Sequence, residues 1–301
     1  MKHGTGRCWL AVSGRREGSL RVDFDRERTW WDAKAPEEEQ DLGDEAVNRA
    51  LRWREVERHL ADVRTVLDVG AGTGAFSISL ARRGFAVTHV DFSLAMLSLA
   101  RRNSEGLANV QFVEANATAL PFPDRFFDLV LNMDGAISSC VSLAEQALRE
   151  ACRVTRQALI LTVSHRVWMI PVWVSASVKV AGRILPAVEA MFERGEWHQE
   201  QFPENPLLSK GVTQDYFPGF RAFLPGELRT LLEGAGTRVL RCGGLGILAN
   251  FCGPEAVEQV CQDEALVQDF VDLCERFDLE VLPEGPGTRQ RAGLIAVAAP
   301  G

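Results

Sequence analysis

Between Val63 and His165 of this 301-residue chain, short apolar runs alternate with stretches of helical periodicity. The runs TVLDVGA, AVTHVD, VQFVEA, FDLVLNM and ALILTVSH are too short for helices and rich in β-branched residues, which predicts strands. Between them GAFSISLARRG, SLAMLSLARRN and SLAEQALREACRV carry apolar residues at three- and four-residue intervals, which predicts helices. Strand and helix in strict turn predict an α/β fold, a doubly wound and mostly parallel sheet covered on both faces. Upstream, residues 37–63 predict one or two helices, with Ala50, Trp53, Val56 and Leu60 on one face. Downstream, LPGELRTLLEGAG is bounded as a helix by Pro near its start and Gly at its end. TRVLRCGG then predicts a sixth strand, residues 254–280 a helical segment, and GLIAVAA (293–299) a closing strand.

The pattern divides the chain into an N-terminal extension and helical cap (1–62), a central core (63–166), an insertion before the sixth strand (167–223) and a C-terminal completion of the fold (224–301). The insertion opens with VWMIPVWVSASVKVAG, uncharged until Lys179. A membrane-spanning helix needs roughly 20 apolar residues, and Pro171 interrupts a shorter run than that. The stretch is expected to form a helix with Pro171 in its first turn. Two placements stay open for it: a roof over a binding site, made by Trp168, Met169, Val172 and Trp173, or a buried or dimer-interface helix.

Composition narrows the partners. A formal net charge of −8 repels phosphate backbones, and no basic stripe with aromatic platforms is present, so no nucleic-acid partner and no membrane partner are expected. Seven scattered cysteines without a C-x-x-C pair suit a reducing compartment. The N-terminal twenty residues lack a signal-peptide apolar stretch, so a cytoplasmic location is expected. The histidines and cysteines show no metal-ligand spacing, so no metal is expected, and G-x-S-x-G is absent.

The chemistry concentrates in VLDVGAGTGAF, a strand, a glycine turn and a helix start. Gly70, Gly72 and Gly74 permit positive φ and close backbone approach, and the helix N-terminus offers free amides. Gly70, Gly72 and Ala75 also fit the dinucleotide fingerprint, with Asp91 at the distance of a ribose-binding acid. Asp68 separates the two readings. A carboxylate beside the loop would repel a pyrophosphate and attract an ammonium, and S-adenosyl-L-methionine carries an ammonium and a sulfonium but no phosphate.

Residues 63–165 resemble a class I S-adenosylmethionine-dependent methyltransferase of the ubiquinone and menaquinone biosynthesis group. The resemblance rests on D-V-G-A-G-T-G (68–74), V-D-F-S (90–93), N-A-T-A-L-P-F-P-D (116–124) and F-D-L-V (127–130). It implies a Rossmann-like fold with a seven-stranded sheet, S-adenosyl-L-methionine as cofactor and a small-molecule acceptor. By the same resemblance Asp68 would bind the methionine ammonium, Gly70, Ala71, Gly72 and Gly74 would shape the pocket floor, and Asp91 would accept the ribose hydroxyls. Phe92 would lie against the adenine, with Ser93 rather than Asp91 capping the next helix. Asn116 stands where the family usually has an acid, and its amide oxygen is expected to accept from the adenine amino group without charge. Ala117 would give its N–H to the ring, and Met133 its carbonyl to the ammonium.

Acceptors bind beyond the carboxyl ends of the strands in such sheets. His165 is therefore the first candidate for a general base and Asp134 the second. Trp168, Trp173, His198, Tyr216 and Trp31 are expected on the acceptor side. Carboxylates in the insertion would favour an amine-bearing substrate if they face the pocket, and the family motif for amine acceptors in nucleic acids and glutamine, N/D-P-P-Y/F, is missing after the fourth strand, where this sequence has N-M-D-G, which favours small molecules. Oxygen or nitrogen is the expected acceptor atom. An NAD-linked oxidoreductase and a non-catalytic cofactor-binding module are the alternatives. A homodimer is compatible with the apolar insertion.

Overall fold

A computed structural model describes residues 22–38, 44–197, 218–287 and 293–301. The five predicted strands of the core are β1 (Thr65–Val69), β2 (Ala86–Asp91), β3 (Val110–Glu114), β4 (Phe127–Asn132) and β5 (Thr155–His165). They pair in parallel in the order β3-β2-β1-β4-β5. The insertion adds two short strands, β6 (Glu196–Trp197) and β7 (Phe220–Phe223). The expected sixth and seventh strands are therefore β8 (Thr237–Gly244) and β9 (Leu294–Pro300) in chain order. The last strand runs antiparallel between β5 and β8, completing a seven-stranded mixed sheet β3-β2-β1-β4-β5-β9-β8.

Alternation along the central strands fills the two faces. Val130, Leu159, Leu161 and Val163 point into one core cluster, where they meet helices α6 (Ala144–Val154) and α9 (Pro225–Gly234). Leu129, Leu131, Ala158 and Ile160 point the other way, toward α2 (Asp44–Arg58) and α3 (Ala75–Arg82). This period of two is what the strand geometry demands, and the resulting burial on both faces explains the near-continuous apolar strand sequences. α4 (Leu94–Asn103) connects β2 to β3, with Ser93 as its N-cap accepting from the Met96 N–H at 3.1 Å.

Three readings of the pattern are corrected. Residues Phe24–Lys34 form a helix, α1, that the periodicity did not reveal because Trp30 is its only buried apolar side chain. The segment 254–280 splits into α11 (Pro254–Val260) and α12 (Glu264–Arg276), since Asp263 caps a new helix by accepting from the Ala265 and Leu266 amides. The apolar run forms α7 (Arg166–Ala181), beginning directly where β5 ends, so Pro171 lies in its second turn and not its first. Lacking an N–H, Pro171 leaves one intrahelical acceptor unused there.

A third cluster joins α7 to α8 (Pro186–Glu193) and to the β6–β7 pair. Trp173 stacks on Trp197 at 5.1 Å, with Met191 and Ala222 beside them. β7 pairs in parallel with the last two residues of β5, opposite Ser164 and His165. Arg166 ties the parts together: it is buried, donates to the Ala222 and Arg194 carbonyls at 3.3 and 3.0 Å, and pairs with Glu227 at 2.5 Å. The insertion is thus held against the carboxyl end of the sheet. No described helix is long and apolar enough to cross a membrane.

Candidate functional site

The residues after β1, β2, β3 and β4, together with α1, α2 and the insertion, enclose a cavity of about 650 Å³. One end belongs to the glycine turn. The amides of Gly70 and Ala71 both donate to the Val90 carbonyl, at 2.8 and 3.0 Å, which folds the turn over the end of β2. Gly70 has φ +66°, and a Cβ there would overlap the Ala136 side chain; Gly72 has φ +55°. Both conformations are readily available only to glycine. Gly70, Ala71 and Gly72 line the cavity, while Gly74 sits behind them as the N-cap of α3.

Asp91, at the end of β2, also lines the cavity. Its Oδ2 accepts from the Gly72 N–H at 2.9 Å and its Oδ1 from the Ser93 N–H at 2.8 Å, and the Phe92 N–H also faces the carboxylate. Burial pushes its carboxyl up to about 6, with the amide bonds from Ser93 and Gly72 holding it from rising further. Phe92, Met96, Ala115 and Ala117 add an apolar stretch of lining after the ends of β2 and β3, with the polar side chain of Asn116 among them.

Asp68 is not where the sequence suggested. It is buried beneath the turn, does not line the cavity, and accepts from the Ser77 N–H of α3 at 3.1 Å. Burial pushes its carboxyl up to about 7. Ser77 in turn shares a 2.7 Å hydrogen bond with His89 Nδ1. The position after a strand that opens into a turn predicts proximity to the ligand, but here the following helix claims the carboxylate. Met133 is likewise buried away from the cavity, which reaches Asp134, Gly135 and Ala136 instead.

The other end of the cavity is rich in carboxylates: Glu27 of α1, Glu37 and Glu38 just after it, Glu45 of α2 and Asp134 after β4. Asp134 has φ +59°, in the left-handed region that Asp enters more readily than most residues. Its N–H donates to the Thr162 hydroxyl at 3.0 Å, and its carboxylate pairs with Arg52. Arg52 is fully buried in α2 and also pairs with Glu45, so one guanidinium fixes two carboxylates on the wall. Glu27 accepts from the Gly219 N–H at 3.2 Å, stitching α1 to the insertion. Cys140 lines the same region, where burial and the nearby Glu27 charge push its thiol up to about 12, leaving it a protonated, inert side chain.

α1 is anchored over the cavity at two more points. Asp32 accepts from the Ser93 hydroxyl at 2.5 Å and from the Ala95 N–H at 3.1 Å, and Arg28 pairs with Glu114 at 3.1 Å. This sets Phe24, Glu27 and Trp31 facing inward.

Of the expected acceptor-side residues, Trp31 lines the cavity. His165 does not: it is fully buried, and its Nδ1 accepts from the Val167 N–H at 3.2 Å as the cap of α7. Burial lowers its imidazole to about 4, which keeps it neutral near pH 7. Trp168 donates its Nε1–H to the Gly287 carbonyl, and Trp173 packs in the cluster behind the site, so neither roofs the cavity. Met169 of the same helix does line it. His198 and Tyr216 lie outside the described residues.

Sequence reasoning missed Glu27, Glu45, Arg49, Arg52 and Cys140. A signal existed in α2: Asn48 and Arg52 are spaced as one helix face and adjoin the buried Val47 and Leu51, so a charged residue was bound to be carried inward.

A family profile described as a methyltransferase domain matches residues 66–158. The demethylmenaquinone methyltransferase of Paenarthrobacter aurescens is 34% identical over 149 residues, 48% of this chain and 56% of that protein. The protein of the same name from Thermus thermophilus is 43% identical over 89 residues, 27% of this chain and 39% of that one. This chain thus spans about half or less of the length of these relatives. A solved S-adenosylmethionine-dependent methyltransferase from Mesorhizobium loti superposes with a TM-score of 0.52 at 18% identity, covering 85% of this chain and all of the other. One from Methanosarcina mazei gives 0.51 at 16% identity, with 82% and 96% covered. At such identities the superpositions establish the fold.

Proposed function

Because this chain carries a class I S-adenosylmethionine-dependent methyltransferase domain, we propose that it transfers a methyl group to a small acceptor bearing an amine, with oxygen as the second choice of acceptor atom. The observation that supports the acceptor class is the wall of the cavity: Glu27, Glu37, Glu38, Glu45, Asp91 and Asp134 line it, and the cations beside them among the described residues, Arg49 on the wall, Lys34 paired with Glu37 and Arg52 paired with Glu45 and Asp134, leave it net negative. Such a wall opposes a pyrophosphate and favours cationic ligands. That set of acceptors fits S-adenosylmethionine, and it disfavours the NAD-linked alternative.

Gly70, Ala71 and Gly72 with Asp91 would hold the cofactor, whose part in the chemistry is to supply an activated methyl group. The remaining work is positioning and proton removal. An ammonium has no lone pair to attack with, so it must lose a proton first. Asp134 supports that role because Arg52 and Thr162 fix it at the cavity wall while its side chain remains partly exposed to pass the proton on. Glu27 and Glu45 would hold the charge of the incoming amine, and Trp31 and Phe220 would close over its apolar part.

Thermal shift measurements with S-adenosylhomocysteine and with NAD⁺ test the cofactor, since only a ligand of the native state raises Tm. Turnover of labelled S-adenosylmethionine on matched amines and neutral isosteres tests the acceptor, with demethylmenaquinone, the compound in the relatives' name, as control. Turnover on demethylmenaquinone with none on amines would overturn the amine reading.

A further inference from the structure

Asn116 lies in the apolar stretch of the cavity lining with a hydrogen-bonding pattern opposite to the one its position suggests. Its Oδ1 accepts from the Thr118 N–H and from the Thr118 hydroxyl, both at 2.9 Å. A carbonyl oxygen has two lone pairs, so its capacity is filled. The assignment of oxygen and nitrogen is fixed by the partner, because a backbone N–H can only face an acceptor. Thr118 is itself buried, its carbonyl accepts from Gln146 Nε2 at 2.9 Å, and the Ala119 N–H closes the turn on the Asn116 carbonyl at 3.0 Å. The turn is therefore braced on several sides. The Nδ2 group makes no hydrogen bond among the described residues, and Asn116 lines the cavity.

We propose that Asn116 makes this site blind to the 6-amino group of the cofactor's purine. The inference rests on the cofactor reading above. Asp91 and Glu114 are paired at the ends of β2 and β3, so the residues that follow them, Phe92 and Ala115, Asn116 and Ala117, are neighbours on the cavity wall, and with Met96 they give it an apolar lining next to Asp91 that suits a base. Within it the group that Asn116 presents is an N–H donor. A donor pairs with a ring nitrogen and gains nothing from an exocyclic amine, which is itself a donor toward that edge. Loss of the amino group then leaves the Asn116 side chain with no unpaired acceptor, and such unpaired groups are what drive discrimination. An aspartate here would make the same turn to Thr118 with one oxygen and turn its other oxygen to the base as a charged acceptor, restoring a reader of the amine.

Calorimetric titration of the wild-type chain and of Asn116→Asp with S-adenosylhomocysteine and with its 6-deamino purine analogue tests this. The wild type should bind the two within about threefold of each other, and Asn116→Asp should favour the adenosyl compound by about tenfold or more, the usual worth of a charge-assisted hydrogen bond. A wild-type preference of about tenfold for the adenosyl compound, or a ratio unchanged by Asn116→Asp, would overturn the proposal while leaving the cofactor reading intact. Failure of the wild type to bind either ligand would overturn both.

Discussion

Whereas the wall formed by Gly70, Gly72 and Asp91 is made of backbone and of residues close together in sequence, the wall formed by Glu27, Glu45 and Asp134 is gathered from three distant elements. The first is held by main-chain hydrogen bonds to Val90 and by the carboxylate of Asp91, so few side chains need to be kept for it to form. The second depends on side chains: Arg52 sets Glu45 and Asp134, Glu27 reaches Gly219, and the insertion leans on Trp173 and Trp197. The difference teaches that a wall built of backbone can form from a short stretch of sequence, whereas a wall of side chains needs several distant elements in place at once. The methyltransferase-domain profile spans the first wall and Asp134, and leaves Glu27 and Glu45 outside its range.

The largest expected break in this comparison comes from behind the second wall. Trp173→Ala removes a buried indole from the α7–β6 cluster, and such truncations cost about 3–5 kcal/mol. Denaturation should show that loss, while S-adenosylhomocysteine affinity of the folded fraction stays at the wild-type value. A fall in both would mean that the walls are one cooperative unit. Next is Asp134→Asn, which keeps the left-handed backbone position accessible but removes the base. Turnover per KM on the acceptor should drop about 100-fold with cofactor affinity unchanged. An unchanged rate would assign proton removal elsewhere.

The same division explains what was legible from residues alone. Strand and helix alternation, the Gly70–Gly74 turn, the Ser93 cap and Asp91 are local patterns, and the structure has them where periodicity and turn chemistry require. Asp68 misled because adjacency in sequence does not say whether a carboxylate turns to the ligand or to the next helix, and Ser77 takes it. His165 misled for a similar reason: the strand runs straight into α7, so the imidazole becomes a cap. Glu27 and Arg52 gain their meaning only from packing. The two-residue strand β6 is too short to carry a period.

Asp91→Asn tests the first wall directly. The substitution keeps one acceptor oxygen and loses the charge, so cofactor affinity should fall about 30-fold, within the range for hydrogen bonds to charged groups. Acceptor KM at saturating cofactor should not move. If Asp91→Asn instead raised acceptor KM, the two walls would share this carboxylate.

The smallest effect is set by pH. Burial raises Asp91 from 3.8 to about 6 in the folded chain. A carboxyl raised on folding favours the native state fully below its unfolded pKa, and that contribution is lost as pH rises through the folded value. The ligand-free chain therefore carries an increasing penalty for this buried charge between pH 4 and pH 7 or so. Two ribose hydroxyls need the ionised, acceptor-only form, so binding releases a proton where Asp91 is still protonated. Affinity for S-adenosylhomocysteine should then be about twofold weaker at pH 6 than at pH 8, half the sites being protonated at the pKa. The thermal shift it produces should be correspondingly larger at pH 8. Asp68, raised to about 7, titrates in the same window but faces Ser77 and not the cavity. Asp91→Asn separates the two: it should flatten the pH dependence of binding, and a dependence that survives it would belong to Asp68, joining the buried carboxylate to the cofactor wall after all.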